Sequence, residues 1–218
     1  MKITKFPQSC LLIETKGKKI LIDPGVLKYK DEYFEIWNNV NIILVTHKHP
    51  DHCNTEVLQK LNDNIKIYST NEVKQSNETL KINIVKVNDI IKLEDISIEV
   101  VCAIHGYQPL LKGEKEIHEN VGYIVDDGEC RLYATSDTIC FKNDYKADII
   151  CIPVTGYGLT MSAFEAALYS KEVEAKIVLP IHMDNPMFPP NFEFIEEMFN
   201  KYEVDYEILD NEETIEIN

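Results

Sequence analysis

The segment VTHKHPDHCN contains three of the six histidines of the chain, together with an aspartate. Its pattern H-x-H-x-D-H places four side chains that commonly bind metals within six positions, directly after an apolar run. Side chains two residues apart in an extended chain point the same way, so His47 and His49 can face one ion. Asp51 and His52 follow a proline that turns the chain, and they can face a second ion. So dense a group is unusual in a solvated loop, and the segment predicts a metal site.

Further candidate ligands stand at the ends of other strand-like runs: His105 ends IEVVCAIH, Asp137 ends RLYATSD, His182 ends AKIVLPIH and Asp23 ends KILID. Loops at strand ends carry function on a rigid base. A lone histidine there is more often a structural residue, but beside H-x-H-x-D-H these residues form a coherent set. One metal site needs only three or four such groups. The surplus predicts two ions about 3.5–4 Å apart, bridged by a carboxylate and a water.

Hydrophobic periodicity predicts the strands that must position these residues. SCLLIET and KILIDPG flank a turn at Gly17 and predict a hairpin, and VNIILVTH predicts a strand buried on both faces. More strands are predicted in IKIYST, LKINIVKV, ISIEVVCA, VGYIVDD, CRLYATSD, ADIICIPVTG and AKIVLPIH, with ETIEIN as a closing edge strand. The longest segments predicted to be irregular are Leu27–Trp37 and His105–Asn120.

Three helices are predicted between and after these strands. Thr55 is expected to cap EVLQKLN, and Ser162 with Glu165 forms a capping-box pattern at the start of SAFEAALYSKEV. NFEFIEEMFNKY has the spacing of an amphipathic helix. Because no linker rich in Pro, Gly or Ser interrupts the 218 residues, we expect a single domain over residues 1–218. Its class is α/β, and the similar halves indicate a sandwich of two mixed sheets with helices outside.

The amino-acid composition limits the kinds of molecule that the protein is expected to bind. The 22 basic and 37 acidic residues give a net charge of −15, which argues against loose binding to nucleic acid. A small anionic substrate is compatible with that charge, because a local cation can reverse the sign inside a pocket. The N-terminus does not resemble a signal peptide, and six scattered cysteines indicate reduced thiols, so we expect a cytoplasmic protein that does not bind membranes. The sequence is compatible with a monomer or a homo-oligomer.

These motifs resemble those of the metallo-β-lactamase superfamily along essentially the whole chain. ILIDPG is similar to its first motif, THKHPDH to its T-H-x-H-x-D-H signature, AIH to its third-histidine strand, ATSDT to its G-D-T segment and LPIH to its final histidine motif. IPVTGYGLTMSAFEAA followed by IVLPIHMDN is similar to the compact branch of ascorbate-6-phosphate lactonase-like metal-dependent hydrolases. The resemblance implies an αββα sandwich with the metals at one edge between the sheets.

The resemblance also implies seven metal ligands: His47, His49 and His105 for a first ion, Asp51, His52 and His182 for a second, and Asp137 as the bridge between them. Asp23 would orient a ligating histidine. The sequence departs from the family in two places. Ser136 stands where the family has a glycine before the bridging aspartate, and PQSC replaces a segment that often contains glycine and histidine, which leaves Gln8 without an assigned role.

Such a centre predicts a hydrolase that cleaves an ester, a lactone or a phosphodiester. Two cations lower the pKa of a bridging water from about 15.7 toward about 7, and the resulting hydroxide attacks a carbonyl or phosphorus centre. Asp51 and His182 are the predicted catalytic residues, for proton transfer and for binding the oxyanion. Zinc is the first expectation, with manganese or iron as alternatives. The competing interpretation is a metal-binding sensor or structural module without catalysis.

For four other residues and one segment, a structural role is weighed against a functional one. His118 fits a solvated loop better than a substrate contact, and Cys53 fits packing better than metal binding. For Tyr157 and Met161, pocket lining and core packing are equally favoured. NPMFPPNF after His182 fits a rigid connection better than a pocket wall.

Overall fold

The strands pack as two mixed sheets in the computed structural model, which describes residues 1–217 except for the side chains of residues 111 and 114. The first sheet contains β1 (Lys2–Lys5), β2 (Leu11–Thr15), β3 (Lys18–Ile22), β4 (Ile42–Leu44), β5 (Lys66–Ser69), β6 (Ile82–Ile84) and β13 (Thr214–Glu216), in the spatial order β13-β1-β2-β3-β4-β5-β6. The second contains β7 (Ile90–Leu93), β8 (Ile96–Cys102), β9 (Val121–Asp126), β10 (Arg131–Ala134), β11 (Ile149–Pro153) and β12 (Ile177–Ile181), in the order β12-β11-β10-β9-β8-β7. Each half of the chain therefore builds one sheet, and β13 returns to the first.

Helices cover the outer faces of both sheets. They are α1 (Glu32–Trp37), α2 (Thr55–Leu58), α3 (Asn71–Ser76), α4 (Ala163–Val173) and α5 (Phe192–Lys201). Two short 3₁₀ turns, Pro109–Leu111 and Gly113–Lys115, interrupt the long connection between β8 and β9.

Alternation along the strands explains these layers. Leu11 and Ile13 of β2 pack between the two sheets, whereas Leu12 packs on the side of α1 to α3. On the second sheet, Ile149 and Cys151 of β11 face the inner core, while Ile150 faces α4 and α5. Successive side chains of a strand point to opposite faces, so uninterrupted apolar strands fill three cores at once. The αββα class predicted from the sequence is confirmed.

One edge of the sandwich collects the strand ends that precede the candidate ligands. β3, β4 and β5 run parallel, so their carboxyl ends meet at the same edge of the first sheet. In the second sheet β10, β11 and β12 run parallel, and β8 shares their direction because both β8 and β10 are antiparallel to β9. The topology therefore brings Asp23, the segment after β4, and the residues after β8, β10 and β12 together.

Several predicted elements agree with the structure. The hairpin of β2 and β3 has Gly17 at a positive φ of 72°, a conformation that glycine adopts at little cost. Both halves of the predicted capping box at Ser162 are present at the start of α4. The closing edge strand is present as β13, although Asn218, which the prediction included, lies outside the described residues.

Other predictions need correction. Asn54 caps α2, since its side chain accepts a hydrogen bond from the backbone N–H of Val57; Thr55 is the first residue of that helix. The segment 27–37, predicted to be irregular, contains α1, whose Trp37 packs against the rings of Phe6 and Tyr29. β1, α3 and β7 were not predicted. These elements are four to six residues long, too short for periodicity to reveal them.

Two further features are the length and polarity of the helices and the state of the cysteines. Among the described residues, the helices are all too short or too polar to cross a membrane. The cysteines are free thiols, and Cys10, Cys53 and Cys151 are buried in the packed layers.

Candidate metal centre

The loop after β4 is held in place by the buried carboxylate of Asp23. Oδ1 of Asp23 accepts a hydrogen bond from the backbone N–H of Thr46 at 2.8 Å, and Oδ2 accepts from the Thr46 hydroxyl at 2.8 Å. Nδ1 of His52 donates to the same Oδ2 at 2.7 Å. Asp23 therefore fixes both ends of the H-x-H-x-D-H segment. Gly25 lies against this loop, because a Cβ there would be 1.8 Å from the backbone oxygen of Asp51.

The seven predicted ligands come together in overlapping groups. His47, His49 and His105, which we call the first trio, place one nitrogen each within 4.8 Å of one another, and Asp51, His52 and His182, the second trio, do the same with their ligand atoms. A third group of the same size, His47, His52 and Asp137, links the two.

Asp137 lies at the centre of the arrangement. Its Oδ2 is 2.9 Å from Nε2 of His182, 3.2 Å from Nε2 of His52 and 3.9 Å from Nε2 of His105. The two sheets therefore meet at this carboxylate, which comes from the end of β10 while His52 comes from the first sheet. Its position between the trios is the one expected of a bridging ligand.

Ser136, which stands where the family has glycine, does not keep Asp137 from reaching the imidazoles. Ser136 has a positive φ of 66°, which explains why glycine suits this position. Its hydroxyl donates to Oδ1 of Asn120 at 2.8 Å, and Nδ2 of Asn120 donates to the backbone oxygen of Asp137 at 2.9 Å. These bonds hold serine in a conformation that is otherwise costly.

Each imidazole has a partner on the nitrogen that faces away from the group. Nδ1 of His105 donates to the carbonyl of Gly106 at 2.7 Å, and Nε2 of His49 donates to the carbonyl of Lys115 at 2.9 Å. Nδ1 of His182 lies 2.9 Å from the hydroxyl of Thr155. Such partners fix the ring orientation and the tautomer, as outer partners do in protein metal sites.

The electrostatics of the group favour a cation. Burial lowers the pKa of His47 well below its ordinary value and also lowers that of His105, so these imidazoles are neutral, which is the form that binds metals. Burial opposes charge on His52 and His182 too, but the neighbouring Asp137 carboxylate raises the pKa of both rings. The field that stabilises a proton there would also stabilise a metal ion.

The donor atoms fit a metal centre. Within residues 1–217, Nε2 of His52 and Oδ1 of Asp137 are buried and make no hydrogen bond, although buried polar atoms are nearly always paired. Both atoms belong to the group that links the trios. Imidazole nitrogens combined with carboxylate oxygens suit zinc, and also manganese or iron.

A cavity of about 360 Å³ adjoins the group. Five of the seven predicted ligands line it: His49, Asp51, His105, Asp137 and His182. The remaining wall is formed by Pro50, Lys115, Leu159, Asn185 and Phe188.

Lys115 and Leu159 were not singled out from the sequence, because each lies in a loop without a pattern that reports its position. The segment NPMFPPNF was interpreted as a rigid connection rather than a pocket wall, and this preference was wrong for Asn185 and Phe188, which line the cavity. The ring of Phe188 packs against Tyr157 at a centroid distance of 5.3 Å. Met161 is fully buried in the core beneath α4, so the packing interpretation holds for it.

The remaining two interpretations are also resolved. His118 is exposed, and its backbone N–H donates to Glu72, as expected of a loop residue. Cys53 is buried in the core between the first sheet and its helices, so it serves packing.

Comparisons with known proteins agree with this architecture. Residues 2–182 match the model of a family described as the beta-lactamase superfamily domain. A UPF0173 metal-dependent hydrolase of Nanoarchaeum equitans is 30% identical over 193 residues, covering 84% of this chain and 83% of that protein. A Mycobacterium tuberculosis protein, Rv0786c, is 29% identical over 188 residues, covering 84% of each chain. The chain belongs to the metallo-β-lactamase superfamily, as its motifs predicted, and within it to the metal-dependent hydrolases.

Solved structures share the fold over nearly the full length. A metallo hydrolase of Ignicoccus hospitalis superposes with a TM-score of 0.78 at 23% identity, covering 100% of this chain and 99% of that one. A structure from Parabacteroides distasonis, described as a metal-dependent hydrolase, gives a TM-score of 0.78 at 24% identity, covering 94% of this chain and 91% of the other. At these identities the likeness concerns the fold.

Proposed function

We propose that this protein uses two divalent metal ions, zinc first among them, to hydrolyse a small ester, lactone or phosphodiester. The observation that carries the proposal is the pair of trios around Asp137 beside a cavity of about 360 Å³. A volume of that size is typical of sites for small molecules. Because five of the seven predicted ligands line the cavity, a molecule bound there would contact the metal centre directly.

The first trio would hold one ion, the second trio the other, and Asp137 would lie between them. Bound ions of this kind act as Lewis acids and lower the pKa of coordinated water to about 7. Asp51 lines the cavity while Gln8 donates to its Oδ2, so the carboxylate is held where it can accept a proton. His182 lines the same cavity, and the ion that it would hold can help to bind the oxyanion that develops on the substrate.

The wall of the cavity indicates what the substrate carries besides the scissile bond. Leu159 and Phe188 offer an apolar surface, and Lys115 and Asn185 offer polar groups. The chain has a net charge of −15, and Lys115 is the only lysine or arginine among the described residues that line the cavity. These residues favour a substrate with a small apolar part and a polar or anionic group.

The alternative is a sensor or structural module that binds metal without catalysis. A structural zinc site usually closes with four protein ligands and leaves no open position. Here the candidate ligands border a cavity, which favours catalysis.

The test is turnover by the metal-loaded protein on a panel of carboxylic esters, lactones and phosphodiesters. We expect hydrolysis of at least one class, dependent on zinc or manganese and lost in Asp51→Ala. Activity confined to phosphodiesters would remove the ester and lactone option. Saturation with metal without turnover on any class, together with a partner bound only by the metal-loaded form, would support the sensor instead. Stoichiometric iron alone in protein purified without added metal would count against a purely hydrolytic centre.

A further inference from the structure

Gln8 lies between two members of the second trio and is fully buried. Its backbone oxygen accepts a hydrogen bond from the N–H of His182 at 3.0 Å, and its own N–H donates to Oδ2 of Asp184 at 2.8 Å. Gln8 and His182 both have positive φ angles, 65° and 63°, in the region that favours glycine. Residues other than glycine keep such conformations only when their surroundings enforce them.

The side chain of Gln8 has a defined orientation. Its Oε1 accepts a hydrogen bond from the backbone N–H of Asp184 at 3.1 Å, so this end of the amide must be the oxygen. Nε2 then points to Asp51 and donates to its Oδ2 at 3.0 Å. The reversed amide would place two donors together at Asp184 and two acceptors together at Asp51. Gln8 is therefore fixed by the segment after His182 and in turn restrains Asp51.

A charged network around the buried carboxylate of Asp184 stabilises the far side of this arrangement. Asp184 accepts hydrogen bonds from Lys28 at 2.7 Å and from Asn211 at 2.9 Å, and Lys5 lies 3.3 Å from it. The Asp184 side chain is only 7% exposed. Because these partners come from separate parts of the chain, Gln8 is supported independently of Asp51 and can act as a fixed point for it.

We propose that Gln8 is a positioning residue that holds the Asp51 carboxylate toward the second trio and so sets the affinity of the protein for its second metal ion. The inference rests on the proposed two-ion function. Asp51 lies in a turn that borders the cavity, and its carboxylate is partly exposed, whereas His52 is fully buried. The bond from Gln8 limits the rotation of that carboxylate without adding charge, and a carboxylate oxygen that accepts one hydrogen bond can still bind a cation.

The test is calorimetric titration of the metal-free protein with zinc, comparing wild type with Gln8→Met and Gln8→Asn. Both substitutions keep the backbone bonds to His182 and Asp184. Methionine matches the length of glutamine but lacks the amide, and asparagine keeps the amide but cannot reach both partners. We expect the ion of the second trio to bind about 10–100-fold more weakly in both variants, while the affinity for the ion of the first trio stays unchanged. Gln59→Met, at an exposed position after α2, is the matched control and should bind both ions as wild type does.

The possible outcomes are distinct. Two ions bound with unchanged affinities in both Gln8 variants, or an equal loss at both ions, would overturn the positioning role and leave the two-ion centre standing. A purely structural Gln8 would lower the melting temperature of the metal-free protein without separating the two affinities. If Gln8→Met does not fold, Gln8→Asn decides. A wild type that binds fewer than two ions would overturn the proposed centre and this inference together.

Discussion

The two trios differ in what stabilises them. In the second trio the partners are side chains: the buried Gln8 for Asp51, the buried Asp23 for His52 and the half-buried Thr155 for His182. In the first trio His49 and His105 donate to backbone carbonyls of the connection between β8 and β9, at Lys115 and Gly106. Lys115 is exposed. His47, the remaining member of the first trio, has Nδ1 3.0 Å from the buried hydroxyl of Thr46. The partners of the second trio therefore do not line the cavity, whereas two imidazoles of the first trio depend on a connection that contributes Lys115 to the cavity wall.

The largest expected effect comes from removing a ligand of either trio. His49→Ala and Asp51→Ala should each reduce hydrolysis to the background rate while leaving the fold largely intact, because each removes one ligand but no core packing. Turnover and circular dichroism of the metal-loaded variants measure this. His118→Ala, which removes an exposed histidine, is the control. Wild-type turnover in either ligand variant would show that the trio concerned does not catalyse.

The next largest effect is expected on thermal stability, when the metal ions are removed. An ion present at one hundred times its Kd stabilises the fold by about 2.7 kcal/mol, so a chelator should lower Tm by roughly 5–10 °C for each site emptied. Scanning calorimetry with and without zinc measures the shift, and Asp51→Ala should retain only part of it. An unchanged Tm after verified metal removal would contradict the presence of a metal centre in the folded protein.

A smaller effect is expected from Asp23→Asn. The amide retains one acceptor for Thr46 but places a donor opposite Nδ1 of His52, which disturbs the tautomer that frees Nε2. The affinity for the ion of the second trio should fall about 10–100-fold, measured by zinc titration. Asp63→Asn, at an exposed position, is the control. Equal affinities in Asp23→Asn and wild type would mean that outer partners do not govern the second trio.

The smallest effect is expected at Lys115, on the cavity wall beside His49 of the first trio. Lys115→Ala removes the ammonium but keeps the carbonyl that orients His49, so metal binding should be unchanged. KM for anionic substrates should rise by up to about fivefold, which corresponds to about 1 kcal/mol for an exposed charge pair. Neutral substrates should be unaffected. Steady-state kinetics with matched neutral and anionic esters, and Lys112→Ala as control, would test this; an equal KM increase for both would assign Lys115 a role other than charge.

Much of the fold and of the ligand group could be predicted because the relevant signals are local. The H-x-H-x-D-H pattern lies within six residues, and each remaining candidate follows an apolar run that ends at the edge of a sheet. Alternation along β2 and β11 reports directly which face each residue occupies, so the layered class follows from the pattern. The capping box at Ser162 is likewise complete within four residues.

The outer partners could not be predicted, because they depend on contacts between distant segments. Thr155 reaches a histidine 27 positions away, and Gln8 reaches an aspartate 43 positions away. Neither residue type has a pattern that announces such a partner. The helix α1 was missed for a related reason: its six residues depend on aromatic contacts with Phe6 and Tyr29, which sequence spacing does not report.

The contact between Tyr157 and Phe188 has a consequence for how such a protein diversifies. Tyr157 also donates from its hydroxyl to the carbonyl of Pro189, so the loop after β11 packs against the loop after β12, which contributes Phe188 to the cavity wall. Neither side chain is one of the seven candidate ligands. Random substitution confined to Tyr157, Leu159 and Phe188 should therefore yield new substrate preferences in laboratory evolution at little cost to metal loading.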